Sequence, residues 1–317
     1  MPPKAIIAVG GENLIDTFLT VSADGASRKT DNLGGSPYNV SVALARQGQT
    51  AHFVTPISTD DFGERLATHL HKEGVSATGA RVSAPTTQAI VTLKEGVPSY
   101  TFHREETAER QVTQDSITAA IPDAAAHFHA GSLAFAGGHD ADAWEAVFHA
   151  AAKRGLSTSL DPNVRPSLIA DPSAYRLRFV RLLASAKIVK LSDEDLAWIY
   201  PDVDQDTAMT TLLTQTQARL VALTKGPDGA ECWTRSLHCS NENPTLRGLV
   251  DTIGAGDTFM ATLLAQLAGS NASDLDAAAL NRIMRRALFA ACLNCTKEGC
   301  DPPTTKAIEA ALVRGTI

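Results

Sequence analysis

The residues best suited to chemistry form one string of nine, Asp251-Thr252-Ile253-Gly254-Ala255-Gly256-Asp257-Thr258-Phe259, between an extended segment and an apolar helix. Gly254 and Gly256 lack a Cβ, so a ligand can approach the backbone, and the N–H groups at a helix N-terminus attract anions. A carboxylate at Asp257 would repel a resident phosphate, yet it can accept the proton of an incoming hydroxyl. The string therefore predicts a phosphoryl-transfer centre, in preference to a glycine turn in which Asp257 is only an N-cap.

This string resembles the C-terminal signature of the ribokinase/PfkB family of carbohydrate kinases. A second family signature is matched far upstream by residues 32–43, Asn-Leu-Gly-Gly-Ser-Pro-Tyr-Asn-Val-Ser-Val-Ala, and the resemblance extends over essentially the whole chain. It implies transfer of the γ-phosphoryl group of ATP to a sugar hydroxyl, with Mg²⁺ as cofactor. It also implies that Asp257 is the catalytic base and that the amides of residues 253–256, including Gly254, Ala255 and Gly256, form an anion hole.

Two further positions imply metal ions by the same resemblance. Family members often have a monovalent-cation site beside the residues that match Asp251 and Thr252, so activation by K⁺ is expected. They usually also have Asn-x-x-Glu after a strand, tied to Mg²⁺ and phosphate positioning. Here Ser192 and Asp195 stand at those two places. Asp195 keeps the charge and is expected to act on Mg²⁺ through water, with Glu194 as an alternative.

The sugar site of the family maps onto Asp16, Gly34, Gly35 and Asn39. A carboxylate accepts hydroxyl protons, an amide both donates and accepts, and glycines permit close approach. Taken singly, Asp16 is better explained as a carboxylate in a surface turn, and Gly34-Gly35 as a plain loop. Residues 10–16 resemble the opening of fructokinase-like members, which favours the sugar-binding interpretation.

Two arginine-bearing segments narrow the choice of acceptor. Residues 100–110 and 161–166 resemble the versions found in fructokinases and 2-keto-3-deoxygluconate kinases. Arg104 and Arg165 are expected to converge on the substrate or the transferring phosphoryl group, because a guanidinium fork suits oxygen anions. The alternative is that both form structural ion pairs at the surface.

The nucleotide side rests on the family resemblance. The segment 224–230, Thr-Lys-Gly-Pro-Asp-Gly-Ala, ends a strand and resembles the Thr-x-Gly nucleotide segment. Thr224, Gly226 and Gly229 are therefore expected beside the ATP phosphates or ribose. Asn294 is expected near the adenine, and the alternative for it is an ordinary helix end.

Several functions stay open at this stage. Fructose is the leading acceptor, followed by 2-keto-3-deoxygluconate and then by ribose or a nucleoside. A non-catalytic sugar-sensing module is a second class, although the base and both glycines of the string are present. A dinucleotide-dependent reductase would need Gly-x-Gly-x-x-Gly after the first strand, and Gly10-Gly11 lacks that spacing. No Walker A string occurs either.

The elements that must position these residues alternate between short apolar runs and segments of helical spacing, which indicates parallel pairing through right-handed crossovers. We expect an α/β fold, a doubly wound and mainly parallel sheet flanked by helices, ribokinase-like by resemblance, with ligands beyond the carboxyl ends of the strands. The expected strands are residues 5–9, 51–57, 128–135, 157–160, 187–191 and 219–224. The expected helices are residues 39–46, 62–72, 141–154, 175–184, 193–199, 258–267, 281–296 and 304–313.

Two regions break that alternation, residues 16–32 and 80–104, which are strand-like without intervening helices. The second is expected to turn at Glu95-Gly96. Together they predict a small β-sheet lid on a single domain spanning residues 1–317, in preference to an edge extension of the main sheet. Because such a sheet has unpaired edges, we expect a homodimer through the lid.

Composition limits the partners. The chain of 317 residues has 28 Lys and Arg against 35 Asp and Glu, a net charge of −7, so it lacks the basic surface of a nucleic-acid binder. No apolar run approaches the ~20 residues that a membrane span needs, and the N-terminus lacks a signal-peptide core. Five cysteines, an odd and sparse number, favour reduced thiols in a cytoplasm. Cys292, Cys295 and Cys300 make only a weak zinc site without a fourth ligand.

Overall fold

The computed structural model describes residues 5–21, 27–94, 97–267 and 275–317. Residues 22–26 of the first predicted insertion and the predicted turn at Glu95-Gly96 lie outside this part of the chain. The strands are β1 (Ile6–Gly10), β2 (Leu14–Val21), β3 (Ser27–Gly34), β4 (Thr50–Phe53), β5 (Ile57–Ser58), β6 (Ser76–Ala77), β7 (Arg81–Val82), β8 (Thr87–Lys94), β9 (Val97–His103), β10 (His127–Gly131), β11 (Ser157–Asp161), β12 (Ile188–Ser192), β13 (Leu220–Thr224), β14 (Ala230–Trp233) and β15 (His238–Asn241). The helices are α1 (Ser36–Arg46), α2 (Asp61–Lys72), α3 (Gln114–Ala120), α4 (His139–Lys153), α5 (Pro172–Leu183), α6 (Asp193–Ile199), α7 (Gln205–Gln215), α8 (Ala255–Leu267), α9 (Ala277–Asn294) and α10 (Thr305–Arg314).

The central sheet contains nine of the described strands, in the order β15-β14-β13-β12-β11-β10-β1-β4-β6. The pairs from β6 to β13 are parallel, and β14 and β15 add an antiparallel hairpin at one edge. The chain runs outward from β1 in one direction and then returns to extend the sheet in the other, so β1 and β10 flank the topological switch point. Ligands bind at this point in open α/β sheets, beyond the carboxyl ends of the strands.

Helices cover both faces of this sheet, as a doubly wound fold requires. Helices α3 to α7 cover one face, where Trp144 and Phe148 are fully buried. Helices α1, α2, α8 and α9 cover the other face with Leu44, Phe259 and Met284. The predicted fold class is confirmed. Within the described residues, no helix is long and apolar enough to cross a membrane.

A separate sheet of four strands has the order β3-β2-β8-β9. Strand β2 pairs in parallel with β8, and the outer pairs are antiparallel. Both predicted insertions therefore meet in one small sheet, and the alternative of an edge extension is wrong. Residues 81–82 of the second insertion belong elsewhere, because β7 pairs with β5 in a short ladder of its own.

Strand β10 ends earlier than the sequence pattern predicts. The apolar run indicated a strand to Phe135, but β10 ends at Gly131 and a 3₁₀ turn occupies Ser132–Phe135. Ser132 has a φ of 55°, a left-handed conformation that stops the strand at the switch point. The turn brings Ser132 and Leu133 to the wall of the cavity described next.

Candidate active site

A cavity of about 490 Å³ lies at the carboxyl edge of the central sheet, with the small sheet along one side. Its wall combines residues from the ends of β1, β11 and β12, the first turns of α1 and α8, and the small sheet. The sequence-predicted residues among its lining are Asp16, Gly35, Asn39, Arg165, Thr252, Gly254, Gly256 and Asp257. The tertiary structure therefore brings the two family signatures to one cavity.

Asp257 lies in the first turn of α8, and its carboxylate is held at both oxygens. The hydroxyl of Ser36 donates to Oδ1 over 2.6 Å, and the Asn39 amide Nδ2 donates to Oδ2 over 2.8 Å. Only 8% of Asp257 is exposed. Burial raises the pKa of this carboxyl, while the hydrogen bonds from Ser36 and Asn39 oppose that rise. Each oxygen keeps a lone pair for a ligand hydroxyl.

The amides before Asp257 are not all free. Ile253 donates its N–H to Oδ1 of Asp251 over 2.9 Å, and Ala255 donates to the Thr252 carbonyl over 3.2 Å. Among the described residues no acceptor lies on the N–H groups of Gly254 and Gly256. Of the four N–H groups implied for an anion hole at residues 253–256, the turn that begins α8 therefore uses two and leaves two for a ligand.

A buried ion pair lies beneath these amides, and sequence reasoning missed it. Lys190 of β12 places Nζ 3.0 Å from Oδ2 of Asp161 at the end of β11. A Cβ on Gly256 would come within 2.9 Å of this Nζ, so the glycine admits the ammonium close to the turn. Burial lowers the pKa of Lys190, but the carboxylates of Asp161 and Asp195 outweigh it and raise the value. A lysine inside an apolar strand was the available signal.

The predicted sugar residues pack closely together. Asp16 lines the cavity, and burial raises its pKa to about 6 although the charge of Arg165 opposes this. A Cβ on Gly34 would lie 2.5 Å from Oδ2 of Asp16, so this glycine leaves room for the carboxylate. Gly35 has a φ of 108°, and a Cβ on this residue would lie 2.6 Å from the Glu12 carbonyl oxygen. A side chain at either glycine would displace the wall.

Glu12 is a second residue that sequence reasoning left without a role. Its Oε1 accepts the Ser36 N–H over 2.9 Å, and its Oε2 accepts the Leu133 N–H over 3.1 Å. Gly35 has no side chain with which to cap α1, so Glu12 does this from the β1–β2 connection. Burial raises the pKa of Glu12 to about 7. This carboxyl ties α1 to the turn after β10.

The two predicted arginines separate in the structure. Arg165 lines the cavity, and its described hydrogen bonds are to the neighbouring residues Asn163 and Val164. Arg104 lies outside the cavity lining, where it is paired with Glu109 at 2.7 Å and Asp140 at 3.0 Å. These buried carboxylates hold its guanidinium inside the protein, which favours the alternative of a structural ion pair for Arg104.

Asn294 ends α9 and lies behind the turn that begins α8. Its side chain is fully buried, with Nδ2 donating to the Ile253 carbonyl over 2.7 Å and Oδ1 accepting the Asp301 N–H over 3.0 Å. These two hydrogen bonds attach the end of α9 to the turn before α8. The alternative of a structural helix end fits this residue.

The other predicted nucleotide residues follow β13. Thr224 ends that strand opposite Ser192 of β12, and its hydroxyl donates to the Leu191 carbonyl over 3.4 Å. The ideal Cβ position of Gly226 is open, with no atom within 4 Å, whereas that of Gly229 collides with the backbone of Asn241. Gly229 is therefore required by the turn, and Gly226 is the one with space for a ligand.

The predicted metal residues are engaged with the backbone. Asp195 accepts the N–H of Ser192 over 2.9 Å in a capping box and that of Val164 over 2.7 Å. Asp251 likewise accepts the N–H of Ile253 and, over 2.9 Å, that of Gly299. Across the described residues, no three His, Cys, Asp or Glu side chains are grouped to hold a metal ion.

A helix-terminal carboxylate beside two N–H groups that lack an acceptor among the described residues can bind a phosphoryl group and take the proton of an alcohol, as a phosphotransferase acting on an alcohol group requires. A family model described as "pfkB family carbohydrate kinase" matches residues 7–307, and the chain belongs to this family.

Similar proteins extend over most of the chain. It is 32% identical to "Probable fructokinase-3" of Arabidopsis thaliana, over 97% of this chain and 90% of that one. It is 36% identical to a fructokinase of Rhizobium leguminosarum bv. trifolii, over 82% of this chain and 79% of that one. A crystal structure of fructokinase with bound ATP from Xylella fastidiosa superimposes with a TM-score of 0.86 at 28% identity, covering 98% of both chains.

Proposed function

We propose that this chain is an ATP-dependent fructokinase, which transfers the γ-phosphoryl group of ATP to a hydroxyl of fructose. One observation carries the proposal: the buried Asp257 carboxylate faces the cavity beside the N–H groups of Gly254 and Gly256, which have no acceptor among the described residues. The two fructokinase relatives above support the acceptor, and the Xylella fastidiosa structure with bound ATP supports the donor.

In the proposed mechanism the sugar hydroxyls bind Asp16 and the side-chain Oδ1 of Asn39, which has no donor among the described residues. Asp257 accepts the proton of the attacking sugar hydroxyl. The oxygen of that hydroxyl bonds to the γ-phosphorus while the bond from phosphorus to the leaving ADP oxygen breaks. The N–H groups of Gly254 and Gly256 hold the charge on the transferring group. Transfer is direct and in line, with no covalent intermediate on the protein.

Mg²⁺, bound with the nucleotide, would neutralise phosphate charge. Both oxygens of Asp195 already accept backbone N–H groups, so this residue fits a metal only through water. Oδ1 of the neighbouring Asp161 is buried and has no hydrogen-bond partner among the described residues, which leaves an acceptor for such a water. K⁺ beside Asp251 and Thr252 is a further proposal, tested by replacing K⁺ with an organic cation in the assay.

A second acceptor is favoured by one observation. Arg165 is exposed at the cavity and carries guanidinium donors beyond its hydrogen bonds to Asn163 and Val164. A carboxylate-bearing sugar acid such as 2-keto-3-deoxygluconate would pair with it. Fructose carries no such charge.

The test is ATP consumption with Mg²⁺ and K⁺ against fructose, 2-keto-3-deoxygluconate, ribose and adenosine. Asp257→Asn is expected to bind ATP and sugar with little change while turnover falls by orders of magnitude, because only the proton acceptor is lost. The exposed Asp123→Asn serves as the matched control. Near-normal turnover of Asp257→Asn would refute the base, and silence across the panel despite ATP binding would favour the sugar-sensing module.

We also propose the wider organisation. The nucleotide side is formed by Thr224, Gly226 and Gly229. Residues 1–317 form one domain, on which the small sheet is a lid.

The edges of this small sheet are β3 and β9. Because such edges can pair with strands of another chain, they support a homodimer through the lid. A monomeric mass by light scattering at micromolar concentration would refute that assembly. The five unpaired cysteines support a reducing, cytoplasmic location.

A further inference from the structure

Ser36 begins α1 and makes hydrogen bonds in two directions. Its hydroxyl donates to Oδ1 of Asp257 over 2.6 Å, and its backbone N–H donates to Oε1 of Glu12 over 2.9 Å. All three residues are buried. A hydroxyl that donates to a carboxylate away from water makes a short, charge-assisted bond. Ser36 therefore connects the cap of α1 to the carboxylate of α8.

We propose that Ser36 is a positioning residue for phosphoryl transfer, whose hydroxyl keeps the Asp257 carboxylate ionised and directed at the acceptor hydroxyl. The inference rests on the proposed role of Asp257 as base. A hydrogen bond to the charged form of an acid favours that form, whereas burial disfavours it. Asn39 holds Oδ2, so removal of the Ser36 hydroxyl leaves Oδ1 without its donor and frees the carboxylate to rotate.

The charged surroundings of Asp257 are unchanged by a substitution at Ser36. Two cations face Asp257, Lys190 of β12 and Arg165 of the loop after β11. The acidic groups are Asp16 of the small sheet, Asp161 of β11 and Cys300 of the loop before α10. Glu12 lies behind Ser36. A change in the titration of Asp257 after Ser36→Ala therefore reports the hydroxyl itself.

The direct test is a carboxyl ¹³C NMR titration of the free protein, with the Asp257 signal assigned by its loss in Asp257→Asn. Ser36→Ala is expected to raise the Asp257 midpoint by about 1 pH unit, and Ser36→Thr, which keeps a hydroxyl, is expected to restore it. Ser41→Ala is the matched control, because this buried hydroxyl of the same helix donates to the Tyr38 carbonyl. It should leave the midpoint unchanged.

The kinetic test is the pH profile of kcat/KM with the acceptor that the panel identifies. In Ser36→Ala the acid limb should move upward by the same amount, so activity falls about tenfold below the midpoint and recovers at higher pH. Equal midpoints in Ser36→Ala and the wild type would overturn the inference, whereas a part of the loss that persists above both midpoints would support the orienting role of the hydroxyl. Ser36→Gly gives the same comparison if Ser36→Ala does not fold.

The NMR titration needs no substrate, so the two proposals fail separately. A shifted midpoint without phosphorylation of fructose refutes the acceptor and keeps the positioning role of Ser36. Fructose turnover with an unshifted midpoint keeps fructose as the acceptor and refutes the positioning role of Ser36.

Discussion

Lys190 and Asp161 form a buried ion pair directly beneath the turn that begins α8. Their Nζ and Oδ2 atoms are 3.0 Å apart, and their side chains are 5% and 1% exposed. Both lie on the sheet face that α1 and α8 cover, and Lys190 also borders the active-site cavity.

Replacing both members of this ion pair should destabilise the protein less than the losses from the two single replacements would suggest. Lys190→Met leaves the buried Asp161 carboxylate without its cation, and Asp161→Asn leaves Lys190 without its hydrogen-bonded carboxylate, so each is expected to lower the free energy of unfolding by about 3–5 kcal/mol. Lys190→Met/Asp161→Asn should lose clearly less than the sum, since no unpaired charge remains. Urea unfolding at neutral pH measures this. Additive losses within about 0.5 kcal/mol would show that the two groups are not coupled.

Gly254 should tolerate no side chain. Its φ is 75°, and a Cβ there would collide with the side chain of Cys300. Gly254→Ala is expected to lose at least about 1–2 kcal/mol from the left-handed backbone alone and to reduce turnover, because the anion hole shifts. Adding Cys300→Gly should recover the contact part of the loss in thermal unfolding and leave the backbone part. No recovery would mean that the collision is not the cause.

The two arginines should respond oppositely to substitution. Arg104→Met leaves the buried carboxylate of Glu109 without a cation, while Asp140 keeps its ion pair with Arg110, so we expect a loss of about 3–5 kcal/mol with the sugar KM unchanged in the folded protein. Arg165→Met should change stability by at most about 0.5 kcal/mol, because the side chain is exposed, but lower kcat/KM at least about tenfold. Chemical denaturation and steady-state kinetics on both variants separate the roles. A raised KM with intact stability in Arg104→Met would return it to the substrate site.

Two buried histidines should make the fold acid-sensitive. His127 and His129 of β10 share the Ser159 hydroxyl at 2.8 and 2.9 Å, and burial lowers the pKa of each to about 3 from 6.5. The folded pKa lies below the unfolded one, so their contribution is present above pH 6.5 and is lost as the pH falls. At pH 5 the loss is about 2 kcal/mol for each imidazole.

The variant His127→Gln/His129→Gln isolates this effect. Its stability should change less between pH 7 and pH 5 than that of the wild type, measured by urea unfolding at both values. His139→Gln, at an exposed position, is the control and should retain the full difference. Glu12 acts in the opposite sense, because its pKa is raised, but it is common to all three proteins. Equal pH dependence in the double variant and the wild type would contradict the assignment to His127 and His129.

The local sequence pattern predicted a strand or helix correctly where the residues of that segment alone specify it. The apolar runs identified β1, β11, β12 and β13, and the glycine string located the start of α8. Pattern failed after Gly131, where apolar residues continue to Phe135 but the backbone turns at Ser132. Periodicity reports burial, and both a buried strand and a buried turn satisfy it.

The amino-acid sequence alone predicts the family and the alternation of strands and helices, because neighbouring residues encode both. The fold sets the partners of Asp257, since Ser36 and Asn39 are 221 and 218 residues away along the chain. It likewise placed Arg104 and Asn294 inside and Arg165 at the cavity. Burial and hydrogen bonding across crossovers depend on where strand ends come to lie, and no local spacing specifies that.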